Sequence, residues 1–273
     1  MSTFSLNLAG SGLEIVCRHA EIERAIRAMW APALSLPCPS PEVRIEIDAV
    51  GRLSLDGEQL YNDANIGQRP MQFESILIQT LLGRRTGALH LHAGCVLFDQ
   101  FACLFVGDSG AGKSTFTKLA VQHGARYLSD DSILIEGGMA HGLARTIQFD
   151  AIDLTEPVPF YHLDCDLTTY RASLTGELSM SSWVVPLYHG AFQALEGLAT
   201  HRYPWVVAAI SQDVTNSVVA LSSIERLATL HSATITIGLD YTNQLGFAPT
   251  FAVKWAHPET AFTQLLEAVD GIE

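Results

Sequence analysis

Two short stretches hold the residue types that could do chemistry. Gly107-Asp108-Ser109-Gly110-Ala111-Gly112-Lys113-Ser114 satisfies G-x-x-x-x-G-K-[ST] at every position, and Thr115 follows it. Asp130 and Asp131 come next, in "YLSDDSILIEG". Glycines at this spacing let a backbone wrap closely around phosphate oxygens, and the helix after them points its N-terminus at the anion. Lys113 should reach the β- and γ-phosphates, and the Ser114 hydroxyl should ligate Mg²⁺. Residues 107–115 are therefore the candidate nucleotide-binding set. The loop does not say what becomes of the phosphate, because switches, motors and small kinases all use it. The acids do more. In motor-type ATPases the magnesium aspartate usually sits much further along, after a long hydrophobic strand. Here two adjacent carboxylates follow at once. Such a pair can divide the labour: one holds a metal and the other accepts a proton from an incoming hydroxyl. The residues alone do not say which of Asp130 and Asp131 takes which role. The order is left open, and the pair is treated as one titrating unit.

These residues need elements to position them. "FACLFVG" is an apolar strand running into the loop, and "STFTKLAVQHG" is a helix with Phe116, Leu119 and Ala120 inward and Gly124 as its stop. "ARYLSDD" is a short strand, and "SILIEGGMAHGLART" is a hairpin with Gly137-Gly138 at its tip. "GALHLHAGCVLFD" is a strand next to the loop strand, joined to it near Asp99-Gln100. Upstream, the patterns predict a hairpin around Gly10-Ser11-Gly12 and a helix in "AEIERAIRAMWAPAL". A second hairpin follows around Gly51-Arg52, then a helix in "MQFESILIQTLLGRR" with Ile76, Ile78, Leu81 and Leu82 as its stripe. Downstream, "WVVPLYHG" and "YPWVVAAIS" read as buried strands. "SSIERLATLHSA" and "ETAFTQLLEAVDG" read as helices, capped near Ser222 or Ser223 and led by Pro258. With no repeat and no Pro/Ser-rich linker, the expected organisation is α/β. A small N-terminal accessory α/β subdomain covers 1–85, and a phosphate-loop domain covers 86–273.

The balance of 16 basic against 29 acidic residues gives a net charge of −13, which argues against nucleic acid as a partner. No apolar run reaches the ~18 residues of a membrane span. "MSTFSLNLAG" lacks the basic and apolar regions of a signal peptide, so a cytoplasmic address is expected. The five cysteines are widely spaced without a CxxC, and read as reduced core thiols.

The run "LHLHAGCVLFDQFACLFVGDSGAGKSTFTKLAVQHGARYLSDDSILIEG" resembles the core of the HPr kinase/phosphorylase family, whose fold is shared with phosphoenolpyruvate carboxykinase. The likeness covers about residues 88 to 138. It rests on a histidine in the strand before the loop strand, the loop, a short helix and an Asp-Asp pair. It implies a mixed-sheet phosphate-loop core, use of ATP or GTP with Mg²⁺, and phosphoryl transfer to a hydroxyl. Homo-oligomers are common in the family. It also implies that His92 is the active-site histidine, orienting the acid pair or the phosphates, and with it Asp130 is assigned as the general base and Asp131 as the metal ligand or helper. Length and the N-terminal lead are similar to stand-alone relatives that act on lasso peptides or free serine, so the acceptor class is a hydroxyl-bearing peptide, protein or small molecule. The loop continues Lys-Ser-Thr where HPr-modifying members tend to have Lys-Ser-Glu, and the family's second signature is absent, so no substrate residue transfers.

Weaker candidates are a second cation from Arg145, Arg171, Arg202 or Arg226, a further metal ligand in Glu136, and the His162, Asp164 and Asp166 cluster. Two other readings stand beside the kinase. One is a small-metabolite kinase of the shikimate- or gluconate-kinase type, which would need a parallel sheet and an arginine-rich lid. The other is a nucleotide-dependent switch, although the guanine motif Asn-Lys-x-Asp is missing.

Overall fold

The structure, a computed structural model, describes residues 1–8, 11–30, 33–34, 38–61, 69–84, 87–99, 101–136, 139–143, 147–149, 169–172, 181–184, 192–193, 205–233 and 248–272. The chain packs as two units, Met1–Thr86 with Leu143–Leu187, and Gly87–Gly142 with Tyr188–Glu273. The sequence expectation was a single boundary at 85/86. The difference lies in 143–187, which groups with the N-terminal residues.

In the first unit, β1 (Ser2–Leu8) and β2 (Ser11–Cys17) form the expected antiparallel hairpin, with Leu8 opposite Ser11. Helix α1 (Ala20–Met29) then carries the chain to β3 (Pro41–Ile47), which pairs parallel to β2. A helical crossover is the ordinary way to join two parallel neighbours. β4 (Leu53–Leu55) returns antiparallel to β3, and β5 (Glu58–Tyr61) pairs with β4. The second turn was not anticipated. Asp56 and Gly57 both have positive φ, +47° and +90°, as a two-residue hairpin of the Asp-Gly kind requires. α2 (Arg69–Arg84) buries Phe73, Ile76 and Leu77, whereas Ile78 from the expected stripe is only half-buried. The later segment adds a separate antiparallel sheet of Ile147–Phe149, Ser181–Val184 and Thr169–Ala172, in that order, here β12, β14 and β13.

The second unit holds the loop. Its elements are β6 (Leu89–Leu91), β7 (Ala93–Leu97), β8 (Ala102–Val106), α3 (Lys113–Gln122), β9 (Arg126–Ser129), β10 (Ile133–Glu136) and β11 (Met139–Gly142). After them come β15 (Phe192–Gln193), β16 (Trp205–Gln212), β17 (Ser217–Ala220), α4 (Ser223–Ala233), β18 (Thr250–Trp255) and α5 (Pro258–Asp270). Six strands form one sheet in the order β17-β18-β16-β8-β7-β9, and four form another in the order β15-β11-β10-β6. The six-stranded sheet is mixed: β16 is parallel to β8 and to β18, while the β7–β8, β7–β9 and β17–β18 pairs are antiparallel.

β7 and β8 are buried along their whole lengths, which explains why their sequences are continuous apolar runs rather than alternating ones. Leu91, Cys95 and Leu104 join one cluster with Ile133, Ile135, Val207 and Leu230. A second, aromatic cluster centres on Phe116, whose ring lies 6.0–6.2 Å from those of Phe105, Trp255 and Phe262. Phe116 is wholly buried, and burial of such a side chain stabilises by about 1.5–3 kcal/mol. It anchors α3 one turn past the loop. Ser222 caps α4 as expected: its hydroxyl bonds the Glu225 carboxylate, which also accepts from the Ser222 amide, and the Glu225 amide donates back to the hydroxyl. Among the described residues, no helix is long and apolar enough to cross a membrane.

Candidate active site

Strand directions bring the chemistry to one edge of the six-stranded sheet. β8 runs toward the loop and ends there. β7 is antiparallel to β8 and β9 is antiparallel to β7, so β9 ends at the same edge at which β8 ends and β7 begins. His92 immediately precedes β7, whose Ala93 pairs with Val106 at the end of β8. Ser129, the last residue of β9, pairs with Cys95. The loop, the acid pair and His92 thus share an edge because of topology, although 16 to 21 residues separate their positions in the chain.

The apolar run containing His92 was expected to be one strand. It is two, in different sheets: β6 pairs with β10, and β7 with β8 and β9. His92 sits at the break, its amide donating to the Ala233 carbonyl at the end of α4 at 2.8 Å. A strand residue would spend that amide on its ladder.

In the loop, Gly107 is required by close approach: a Cβ there would lie 2.4 Å from the Ile210 carbonyl oxygen of β16. The first helical bond of α3 runs from the Phe116 amide to the Gly112 carbonyl. The amides of Lys113, Ser114 and Thr115 therefore have no acceptor within the helix, as an anion site requires. Lys113 is buried and curls back, donating from Nζ to the Gly107 carbonyl at 2.9 Å and the Asp108 carbonyl at 3.1 Å. Burial pulls its ammonium below the usual lysine range, and the carboxylates of Asp131, Asp108 and Asp130 pull it back up.

The two acids occupy different surroundings. Asp130 is 2% exposed; Tyr127 Oη donates to its Oδ1 at 3.2 Å, and Ser114 Oγ lies 3.4 Å from its Oδ2. Asp131 is 34% exposed on its side chain and pairs with His92, 40% exposed, at 3.3 Å between Oδ1 and Nδ1. Past the end of β9 the two acids diverge: Asp130 faces the loop serine, and Asp131 is half-exposed beside His92, with its charge still acting on Lys113. The turn that carries them is tied by Ser129, whose hydroxyl donates to the Ser132 carbonyl at 2.6 Å and accepts from the Ser132 amide at 3.2 Å.

Beneath the pair lies His90, 1% exposed, with Nε2 2.6 Å from Ser132 Oγ. Burial pushes its pKa down to about 4; Asp131 opposes this and His92 adds to it. The imidazole is neutral in the folded protein at neutral pH. Unfolded, it takes up a proton below about pH 6.5. Stability is therefore whole above pH 6.5 and falls as pH drops toward 4, by about 3 kcal/mol over the window. His90→Gln should flatten this fall, read as urea midpoints at pH 7 and pH 5. The sequence reading missed His90, although "LHLH" puts it two residues from His92. Tyr127 and Ser132 are likewise not among the sequence candidates, and with Ser129 they bracket the acid pair.

The donor set suits Mg²⁺. The Asp130 carboxylate and Ser114 hydroxyl are hard oxygen donors side by side, and Mg²⁺ commonly takes one or two protein oxygens and fills the rest with phosphates and water. Among the described residues, no group of three or more His, Cys, Asp or Glu could hold a metal on its own. Arg226 bonds to Ser223 Oγ and the Ala248 carbonyl, and so is engaged in holding α4. Arg145, Arg202, His162, Asp164 and Asp166 lie outside the described residues, as do the side chains of Arg171 and Glu136. A cavity of about 260 Å³ in the first unit contains none of the site residues, and Arg52 on its rim is paired with Asp48 at 2.9 Å.

No family profile matches the chain, and no curated protein matches it. Among solved structures, the HPr(Ser) kinase/phosphatase from Coxiella burnetii aligns over 67% of this chain and 99% of its own, at 12% identity and a TM-score of 0.25.

Proposed function

We propose that this chain is an ATP-dependent phosphotransferase, moving the γ-phosphoryl group to a hydroxyl of a peptide, protein or small molecule, with a serine-type hydroxyl foremost. The observation that carries this reading is the divided acid pair at the loop's edge. One carboxylate is buried against the loop serine, and the other is open to solvent beside a histidine. A pure nucleotide switch has no use for the second, open carboxylate.

The geometry supports the reverse of the order assigned from sequence. Asp130 and Ser114 would hold Mg²⁺, which would neutralise charge on the phosphates. Asp131 is the base. It accepts the proton of the acceptor hydroxyl as that oxygen bonds to the γ-phosphorus. The bond from phosphorus to the β–γ bridging oxygen breaks, and ADP leaves with that oxygen. His92 holds Asp131 in place through the 3.3 Å contact. Lys113 and the amides of residues 113–115 bind the phosphate oxygens. GTP would fit the same loop.

The mixed sheet favours this reading over the shikimate- or gluconate-kinase type, whose loop strand has parallel neighbours; here β7 is antiparallel to β8. It also accords with the resemblance to the HPr kinase family carried by residues 88 to 138. Given the net charge of −13, the proposed partners do not include nucleic acid; a partner other than membrane and a cytoplasmic setting are proposals carried over from the sequence expectations alone. Homo-oligomerisation is a proposal taken from the family resemblance alone.

The test uses γ-labelled ATP with Mg²⁺ and a panel of serine-containing peptides, free serine and polyhydroxy metabolites. Label should move to at least one acceptor, and ADP formation should depend on that acceptor. Steady ATP turnover, equal with and without every acceptor and leaving no label on any of them, would favour the switch.

A further inference from the structure

Two side chains that the roles above do not use hold the outside of the phosphate loop. β16 and β18 run parallel to β8, so their C-terminal ends reach the loop's edge. Their last residues, Gln212 and Trp255, are partners across the ladder. Trp255 Nε1 donates to the Ala111 carbonyl at 2.8 Å. Gln212 Nε2 donates to the preceding carbonyl, that of Gly110, at a longer 3.5 Å. The Trp255 ring packs against buried Phe116 at 6.2 Å, and a Cβ on Gly112 would come within 2.7 Å of that ring. The indole is therefore wedged between the loop's last glycine and the first turn of α3.

A peptide unit is planar and trans, so its carbonyl and its N–H point opposite ways. The Ala111 carbonyl and the Gly112 N–H belong to one unit. The Gly110 carbonyl and the Ala111 N–H belong to the unit before. The inner side of that earlier unit is visible: the Ala111 amide donates to the Asp108 carbonyl at 3.1 Å, the same carbonyl that accepts from Lys113 Nζ. A carbonyl tied outward thus leaves its partner amide pointing into the loop, here onto the Asp108 carbonyl. Gly107, Gly110 and Gly112 all have positive φ, and glycine adopts other conformations at little cost, so backbone torsions alone do not fix the Ala111–Gly112 peptide.

We propose that Trp255, seconded by Gln212, is a positioning residue for the phosphate loop: its indole N–H fixes the Ala111–Gly112 peptide so that the Gly112 amide is set for an oligophosphate anion. The proposal rests on the reading of this loop as a nucleotide-phosphate site. Trp255 acts through the loop backbone and touches no reacting atom.

The test compares the wild-type protein, Trp255→Phe, and a protein with benzothienylalanine at 255, which keeps the indole shape but has sulfur in place of the N–H. Dissociation constants are measured by calorimetry for ATP and for inorganic pyrophosphate, both with Mg²⁺, alongside unliganded melting midpoints. Both variants should bind both probes about threefold to tenfold more weakly, the effect of losing one neutral hydrogen bond. The sulfur variant keeps the ring's packing, so its midpoint should fall by no more than about 2–4 °C, the worth of one neutral hydrogen bond, while its affinity for both probes drops, which a merely structural tryptophan would not predict. Retention of wild-type affinity for pyrophosphate by the sulfur variant would overturn the proposal and leave the loop reading standing. If the wild-type protein bound neither probe, the loop reading would fail and take this proposal with it.

Discussion

Asp131→Asn is expected to lower phosphoryl transfer by about 10²–10⁴-fold, the range usual for loss of a positioned general base. The affinity for Mg²⁺-ATP should change far less than in Asp130→Asn, because Asp131 contacts His92 rather than Ser114 and acts on Lys113 only through its charge. Asn keeps the shape and an oxygen for the His92 contact, so lost activity reports the lost proton acceptor. Asp130→Asn should behave differently. Its carboxylate is buried against Ser114 and Tyr127, and the amide removes the charge that a divalent ion would need there. Its main effects should be weaker Mg²⁺-ATP binding and a raised Mg²⁺ requirement, with part of the transfer rate recovered at high Mg²⁺. The two variants, assayed side by side for nucleotide affinity by calorimetry and for transfer to one acceptor, separate the roles. Loss of transfer at unchanged affinity in Asp130→Asn, with full transfer in Asp131→Asn, would restore the order assigned from sequence.

That order was not legible in the sequence, for a physical reason. "SDDS" shows two adjacent carboxylates at a strand end, and adjacency says only that they point apart. Which one is buried depends on Tyr127 and Ser114, brought together by β9 lying two strands from β8. What is local was read well. The loop, α3 with Phe116, Leu119 and Ala120 inward, and the β10–β11 hairpin with Glu136 opposite Met139 are set by glycine placement and short-range periodicity. What depends on distant partners was missed. The break at His92 is made by a carbonyl at the end of α4, and no pattern within "LHLHAG" announces it. "TFAVKW" was assigned no strand, yet it is β18, and its Trp255 reaches the loop only because β18 pairs with β16 and β16 with β8. The Asp56-Gly57 turn is the exception: its signal was local, and the reading passed over it.

Lys113→Met should weaken ATP binding by about 10- to 100-fold, since charge-assisted hydrogen bonds are worth more than neutral ones. Transfer should fall further, because the lost cation also stabilises charge developing on the transferred group. In the structure the ammonium spends two of its three donors on the carbonyls of Gly107 and Asp108, bridging the loop from within. An arriving phosphate must share or replace those bonds, so the lysine both shapes the loop and binds the ligand. Arg at this position should not rescue either property: a planar guanidinium on a longer stem cannot fold onto those two carbonyls as a compact ammonium does. The pH dependence separates charge from shape. Burial holds the free ammonium below the ordinary lysine range, and a bound anion should raise it again. Affinity for Mg²⁺-ATP should therefore be flat below the free-state pKa of Lys113. Above it, affinity should decline with rising pH, beginning earlier than an ordinary lysine would allow. Calorimetric titrations across that alkaline range should show the decline in the wild-type protein and a flat line in Lys113→Met. An equal decline in both would mean that the group losing its proton is not this lysine.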